Sequence, residues 1–424
     1  MIMKNISPVV NNHLCTGCGG CSNICPKGCI SIAFMASKGC YEACVNEDKC
    51  ISCELCQNVC PVYTWNNSTV ENRLLGNSGS VFSVYANDME LRYGCASGGF
   101  TTTFLIYALE HGYADAVVAV TRDAAKPLYA LPCICTSKDE VLKCKGSVYA
   151  PTSYVDVVKK LQNSAYQRIV VVGLPCHIQT LSRLEKSLPG LKGKIIMKIS
   201  LVCGHTPSLR GYEYSLRHLK IDEKQVRNIN NRGDGWPGYL KIDTCSGDEI
   251  KIRYGHRLSW GTVLSSPLFT PDGCAHCVDP TGYAADISVS DAWLSKFKDD
   301  KIGRNLIYVR SDAARHIIDD MCEAGVITVA EENMDAFVQA NDRVFKEKLI
   351  INGVKNRKAV RAGLFGNMTF LPIESFLGRC AVRIFIMTEK AYKSIFGVKG
   401  INRYVLFLYK AIKYLSVKWL KIYC

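Results

Sequence analysis

The sequence predicts an α+β chain in three parts: a small cysteine-dense module over residues 1–64, an α/β domain over 80–350 and a helical tail over 360–424. Three observations carry this. Two cysteine runs of identical spacing sit near the N-terminus, the middle alternates apolar runs with amphipathic stretches, and the end is basic and rich in aromatic residues.

The first cysteine run is Cys15-Thr-Gly-Cys18-Gly-Gly-Cys21-Ser-Asn-Ile-Cys25-Pro26, and the second is Cys50-Ile-Ser-Cys53-Glu-Leu-Cys56-Gln-Asn-Val-Cys60-Pro61. Both read C-x2-C-x2-C-x3-C-P. Three cysteines two residues apart on a tight loop wrap three corners of a cubane, and the fourth, set against proline, turns to the other cluster. The first part is therefore a bacterial-type ferredoxin module with two [4Fe–4S] clusters. Cys15, Cys18, Cys21 and Cys60 are assigned to one, and Cys25, Cys50, Cys53 and Cys56 to the second. The competing reading is a pair of zinc sites, which more often use separated C-x2-C pairs. Cys29, Cys40 and Cys44 fall outside the pattern and are expected to be small buried apolar residues.

A polar stretch from Trp65 to Ser80 reads as a linker. Beyond it, strands are expected over Ala116–Val120, Arg168–Gly173 and Lys194–Val202, with helices over Phe100–His111, Tyr154–Asn163 and His177–Lys186. Ser97-Gly98-Gly99 directly precedes the first of these helices. Such a turn lets a backbone approach a phosphate closely, although the same residues serve equally as a turn and cap.

Five phrases in the middle region, taken with the cysteine module, resemble one family. They are Arg92-Tyr-Gly-Cys-Ala-Ser97-Gly98-Gly99-Phe, Lys145-Gly-Ser-Val-Tyr149, Val172-Gly173-Leu-Pro175-Cys176-His177-Ile, Leu201-Val-Cys203-Gly-His, and Cys274-Ala-His-Cys277-Val-Asp279 followed by Ala285-Asp286 through Trp293. Residues 10 to 330 resemble the coenzyme F(420) hydrogenase/dehydrogenase beta-subunit family. The resemblance implies a flavin-binding α/β domain that passes electrons between Fe–S clusters and an organic acceptor. Acceptors in the family include a deazaflavin and a chlorophyll derivative.

On that basis Ser97, Gly98, Gly99, Lys145 and Gly173 are the expected FAD contacts. Cys176, Cys203, Cys274 and Cys277 are the expected ligands of a third [4Fe–4S] cluster; the alternative is core thiols beside a C-x2-C pair that binds nothing. His177 and His205, next to these cysteines, are expected to be hydrogen-bonded structural histidines rather than proton relays. Cys133, Cys135, Cys144, Cys245, Cys322, Cys380 and Cys424 have no family phrase around them and are expected to be structural.

The net charge is +14, and ten Lys or Arg against one acid between Arg379 and Cys424 supply most of it. Val405, Leu408, Ile412, Leu415 and Trp419 recur at helical spacing, opposite Arg403, Lys410, Lys413, Lys418 and Lys421. Such a helix suits an anionic membrane surface, or docking on this chain or a partner. No motif for reading bases is present, so nucleic acid is not an expected partner. The start lacks the apolar core of a signal peptide, and the 23 cysteines suit a reducing cytoplasm, with a peripheral position at the inner face of the membrane open to the tail.

The expected function is an iron–sulfur flavoprotein oxidoreductase. Clusters carry single electrons, FAD exchanges a hydride equivalent with a small organic substrate that the sequence does not identify, and a ferredoxin or oxidoreductase subunit is the redox partner. The alternative is an electron-transfer adaptor that wires a partner enzyme to a ferredoxin pool without a substrate of its own. The length of the middle region favours the enzyme.

Overall fold

The computed structural model describes residues 4–64, 76–256, 260–264 and 266–351. The tail over 360–424, with its amphipathic helix, lies outside the described residues, as does most of the linker. No helix among the described residues is long and apolar enough to cross a membrane.

The N-terminal part pairs β1 (Ile30–Met35) antiparallel with β2 (Cys40–Val45), flanked by two one-turn helices, α1 (Gly20–Ile24) and α2 (Leu55–Val59). Each helix starts two residues after the second cysteine of its run, and each C-cap is the fourth cysteine, Cys25 or Cys60, in extended backbone. The proline that follows forces that extension, because its ring crowds an α conformation at the preceding residue.

The larger part is an eight-stranded sheet. Its strands are β3 (Ser80–Ala86), β4 (Ala116–Arg122), β5 (Ala130–Cys135), β6 (Ile169–Gly173), β7 (Ile195–Leu201), β11 (Ile287–Asp291), β12 (Asn305–Val309) and β13 (Ile327–Glu332), in the order β13-β3-β12-β11-β7-β6-β4-β5. After α7 (Arg210–Leu219), a separate three-stranded sheet holds β8 (Val226–Asn230), β9 (Tyr239–Thr244) and β10 (Glu249–Arg253). Strands β4, β6, β7 and β11 run parallel, with antiparallel strands on both flanks. The buried run Ile169-Val-Val-Val-Gly173 fits a parallel strand covered on both faces. All three expected strands and all three expected helices form, with ends shifted by one or two residues; the helices are α3 (Phe100–Glu110), α5 (Val155–Gln162) and α6 (Pro175–Ser187).

On one face, α3 and α9 (Asp312–Glu323) pack with the short α4 (Lys138–Leu142) over Val117, Val170, Ile199 and Ile307. On the other, α5 and α6 share one apolar cluster with Cys21, Ile24, Ile30, Ala43, Cys56 and Val59 of the cysteine module. A chain segment this short buries little apolar surface alone, so the module borrows the sheet's core. The carboxyl ends of β6 and β7 run directly into Cys176 and Cys203, where open α/β sheets place their ligands.

Gly98 shows how tightly this frame is closed. A Cβ there would lie 2.7 Å from Arg304 Cα, Asn305 N and Val84 O, all backbone atoms. Gly98→Ala is expected to destabilise the protein by about 2–3 kcal/mol through overpacking, read from denaturant midpoints. Gly112→Ala, which meets no neighbour but has φ of +71°, is expected to cost only about 1 kcal/mol.

Candidate metal centres

The loop carrying Cys15, Cys18 and Cys21 curls through Gly17 and Gly19, with φ of +72° and +96°. Cys15 Sγ accepts from the backbone N–H groups of Gly17 and Ala43 at 3.4 Å each. The Thr180 hydroxyl of α6 donates to Cys18 Sγ at 3.2 Å. Cys15 and Cys18 lie close enough to Cys21 and Cys60 to raise the proton affinity of those two thiols, after burial itself, so all four share one neighbourhood. Donors aimed at sulfur are what an anionic cluster needs.

A second cavity, of about 300 Å³, is lined by Cys25, Cys50, Cys53 and Cys56 together with Cys29 and Lys4. Asn5 Nδ2 donates to Cys50 Sγ at 3.5 Å, and Cys25 and Cys29 sulfurs are 3.3 Å apart. Cys53, Ile51 and Leu55 are exposed, so this cavity opens at the surface. Cys29 and Cys40 are buried as expected, whereas Cys44, on the same side of β2 as Cys40 but nearer the far end of the strand, is exposed.

The third group lines a cleft of about 600 Å³. Cys176, Cys203, Cys274 and Cys277 meet there with Cys15 and Cys40 of the module, His177, Asp279 and Lys348. Cys176 follows Pro175 at the start of α6, Cys203 follows β7, and Cys274 and Cys277 bracket the end of α8 (Asp272–His276). Three segments remote in sequence thus bring four thiols to one end of the parallel strands. The first and third groups adjoin: Cys176 senses Cys18 electrostatically, and a Cβ on Gly273 would fall 2.2 Å from the Cys15 carbonyl oxygen.

Burial pushes these thiols up, Cys15 to about 11 and Cys40 and Cys203 to about 12, with Cys60, Cys176 and Cys274 raised as well. Thiols in such a place are neutral unless a cation draws the proton off, which is what metal ligation does.

Lys348 gave no signal in the sequence. It lies in a Lys-Glu-Lys stretch that reads as solvated, yet it is 1% exposed, and its Nζ donates to the Cys274 carbonyl at 3.4 Å. Burial opposes its charge, but Cys277, Cys203 and Cys274 outweigh that and hold the ammonium above the ordinary lysine range.

His177 is structural, as expected. The Leu174 N–H donates to its Nδ1 at 3.4 Å, its Nε2 pairs with Thr152 O at 3.2 Å, and its ring stacks on Tyr154 at 4.2 Å. Burial lowers its pKa to about 4. A histidine kept neutral in the fold but free to protonate when unfolded loses stability as pH falls below about 6.5. Between pH 6.5 and 5 that loss is expected to be about 2 kcal/mol, and a His177→Gln variant is expected to lack it in denaturation measured across pH. His205 Nδ1 lies 3.8 Å from Glu347 Oε1.

The expected flavin contacts have partners within the chain. The Ser97 hydroxyl donates to Arg304 O at 2.7 Å, Gly98 is walled by backbone, and the Phe100 N–H after Gly99 is taken by Asn305 Oδ1. Gly173 faces His177, Ile178 and Tyr154. Lys145 is placed differently: its amino group approaches Gly94, beside the loop from Asn230 to Gly238. In that loop, Asn231 Nδ2 and Trp236 Nε1 are buried donors with no hydrogen-bond partner among the described residues. Trp236 packs on Trp293 at 4.3 Å, and the Arg232 guanidinium, paired with Asp291, lies 6.0 Å from the Trp293 ring. Orphaned buried donors beside aromatic faces fit a ligand that brings acceptors and a flat ring.

Three family models match the chain. Residues 14–64 match a 4Fe-4S dicluster domain, residues 81–159 the N-terminal part of the coenzyme F(420) hydrogenase/dehydrogenase beta subunit, and residues 166–335 its C-terminal part. An uncharacterized protein of Methanocaldococcus jannaschii is 29% identical over 65% of this chain and 97% of its own length. The coenzyme F(420) hydrogenase subunit beta of Methanococcus voltae is 26% identical over 65% of this chain and 91% of its own. A chain of the F(420)-reducing [NiFe] hydrogenase complex from Methanosarcina barkeri has a similar fold, with a TM-score of 0.53 and 18% identity over 69% of this chain and 97% of that one.

Proposed function

Because the chain belongs to the coenzyme F(420) hydrogenase/dehydrogenase beta-subunit family, we propose that it is an iron–sulfur flavoprotein oxidoreductase that connects a protein redox partner to a two-electron organic acceptor. The single observation that carries this reading is the shared neighbourhood of Cys15, Cys18, Cys176 and Cys274, which joins the cysteine module to the sheet. When bound, [4Fe–4S] clusters supply single-electron steps and FAD couples them to a two-electron exchange.

The residues divide that work. Cys15, Cys18, Cys21 and Cys60 hold one cluster, Cys25, Cys50, Cys53 and Cys56 the second, and Cys176, Cys203, Cys274 and Cys277 the third. Exposed Ile51 and Leu55 beside Cys53 offer a redox partner its contact surface. Lys145, Asn231 and Trp236 hold the flavin, Lys145 by charge and the other two by their unpaired N–H groups. Ser97, Gly98, Gly99 and Gly173 shape the walls of the domain. Relatives named for coenzyme F(420) make a deazaflavin the first acceptor to try. A cytoplasmic location, and an anionic membrane surface as the contact of the basic tail, complete the proposal.

The test is anaerobic turnover with reduced ferredoxin as donor and the deazaflavin as acceptor. Reduction that depends on bound FAD is expected. Clusters that reduce normally in a chain that takes up no flavin and reduces no acceptor would favour the adaptor instead.

A further inference from the structure

Cys133, Cys135 and Cys144 stand apart from the three cysteine groups above. Cys133 and Cys135 lie two residues apart on β5, so both point to the same face of the sheet, and they pair with Ala119 and Val117 of β4. β5 is an edge strand of the sheet, with β4 as its one neighbour among the described residues. The chain then turns through α4 and brings Cys144 back onto Cys133. That turn is fixed: Glu140 Oε2 accepts from Thr136 N at 2.7 Å, Ser137 caps α4, and the Cys144 N–H donates to Val141 O at 2.9 Å.

The three sulfurs form a closed triangle, with Cys133–Cys144 at 3.4 Å, Cys133–Cys135 at 3.7 Å and Cys135–Cys144 at 3.9 Å. Tetrahedral zinc with Zn–S of about 2.3 Å separates its sulfurs by about 3.8 Å. The triangle thus matches in size the sulfur face of a mononuclear tetrahedral site. It is too small for a cubane, in which each cysteine binds a different corner iron and points outward. Among the described residues this is the one group of three such ligands whose donor atoms all lie within 4.8 Å of one another. Cys135 is buried, while Cys133 and Cys144 are partly exposed, which leaves a side open for an ion to enter and for water as a fourth ligand.

We propose that Cys133, Cys135 and Cys144 form a mononuclear thiolate site for a thiophilic d10 cation, with Zn²⁺ as its physiological occupant. Binding exchanges three thiol protons for the ion and changes no oxidation state. The sequence offers only a Cys-x-Cys and a third cysteine nine residues on, with a strand edge and a helical turn needed to bring them together.

The test uses the full chain, purified anaerobically with its iron in place, incubated with Zn²⁺ and freed of excess. Zinc and iron are then counted in the wild type, in Cys144→Ser and in a Cys322→Ser control. The wild type and the control are expected to hold about one zinc per chain more than Cys144→Ser, at equal iron. Equal zinc in the wild type and Cys144→Ser would overturn the proposal. Should Cys144→Ser fail to fold, alkylation of the wild type decides: Zn²⁺ is expected to slow labelling of Cys133 and Cys144 at least about tenfold, reversibly by chelator. Labelling unchanged by zinc, or thiols already lost to a disulfide under anaerobic conditions, would overturn it as well.

Discussion

Replacing Cys176 with serine is expected to lower the iron of the anaerobically purified chain from about twelve to about eight atoms, and to slow reduction of the two-electron acceptor at least about a hundredfold. The thiol sits at the first turn of α6, at the wall between the cysteine module and the sheet, and shares its cleft with Cys203, Cys274 and Cys277. Serine keeps the volume but not the soft ligand. The eight cysteines assigned to the module's two clusters are untouched, so the variant should still accept electrons from dithionite in its first two centres. That divides the effect from misfolding. Cys322→Ser, in a partly exposed position on α9, should leave both iron and rate at wild-type levels. Iron unchanged in Cys176→Ser would remove the third centre from the account.

The second large effect concerns a charge. Lys348→Met is expected to lower the reduction potential of the proposed third centre, at Cys176, Cys203, Cys274 and Cys277, by about 100 mV, as a cation about 6 Å away in a medium of effective dielectric about 20 contributes about 3 kcal/mol. The sign follows from the added electron: a buried ammonium favours it, and a thioether does not. Lys348→Arg retains the charge and should restore most of the potential. The two variants separate electrostatics from packing, because both alter the shape of the pocket. A potentiometric titration followed by electron paramagnetic resonance reads the shift directly, and equal potentials in Lys348→Met and wild type would exclude the role.

What the sequence made legible was whatever is local. Two C-x2-C-x2-C-x3-C-P runs specify both the spacing of a cluster loop and the backbone of its fourth cysteine, since proline acts on the residue before it. Uninterrupted apolar runs such as Ile169–Val172 specify buried parallel strands. Lys348 was hidden because nothing in Lys-Glu-Lys says that its first lysine reaches towards solvent and its last faces thiols. The triangle of Cys133, Cys135 and Cys144 was hidden because the pairing of β5 with β4 and the fold of α4 create it. Ser97-Gly98-Gly99 is ambiguous from the sequence, because small residues can admit a phosphate or admit the chain itself; at Gly98 the backbone of Val84, Arg304 and Asn305 lies in that space. A buried polar group without a partner, as at Asn231 and Trp236, becomes visible only when the fold is known.

Iron, acid-labile sulfide and extracted flavin per chain, measured together on anaerobically purified protein, test the central claim most directly. Three centres and a flavin predict about twelve irons, about twelve sulfides and about one FAD. About eight irons with no flavin, even after reconstitution with FAD, would contradict it and leave a two-cluster electron-transfer adaptor.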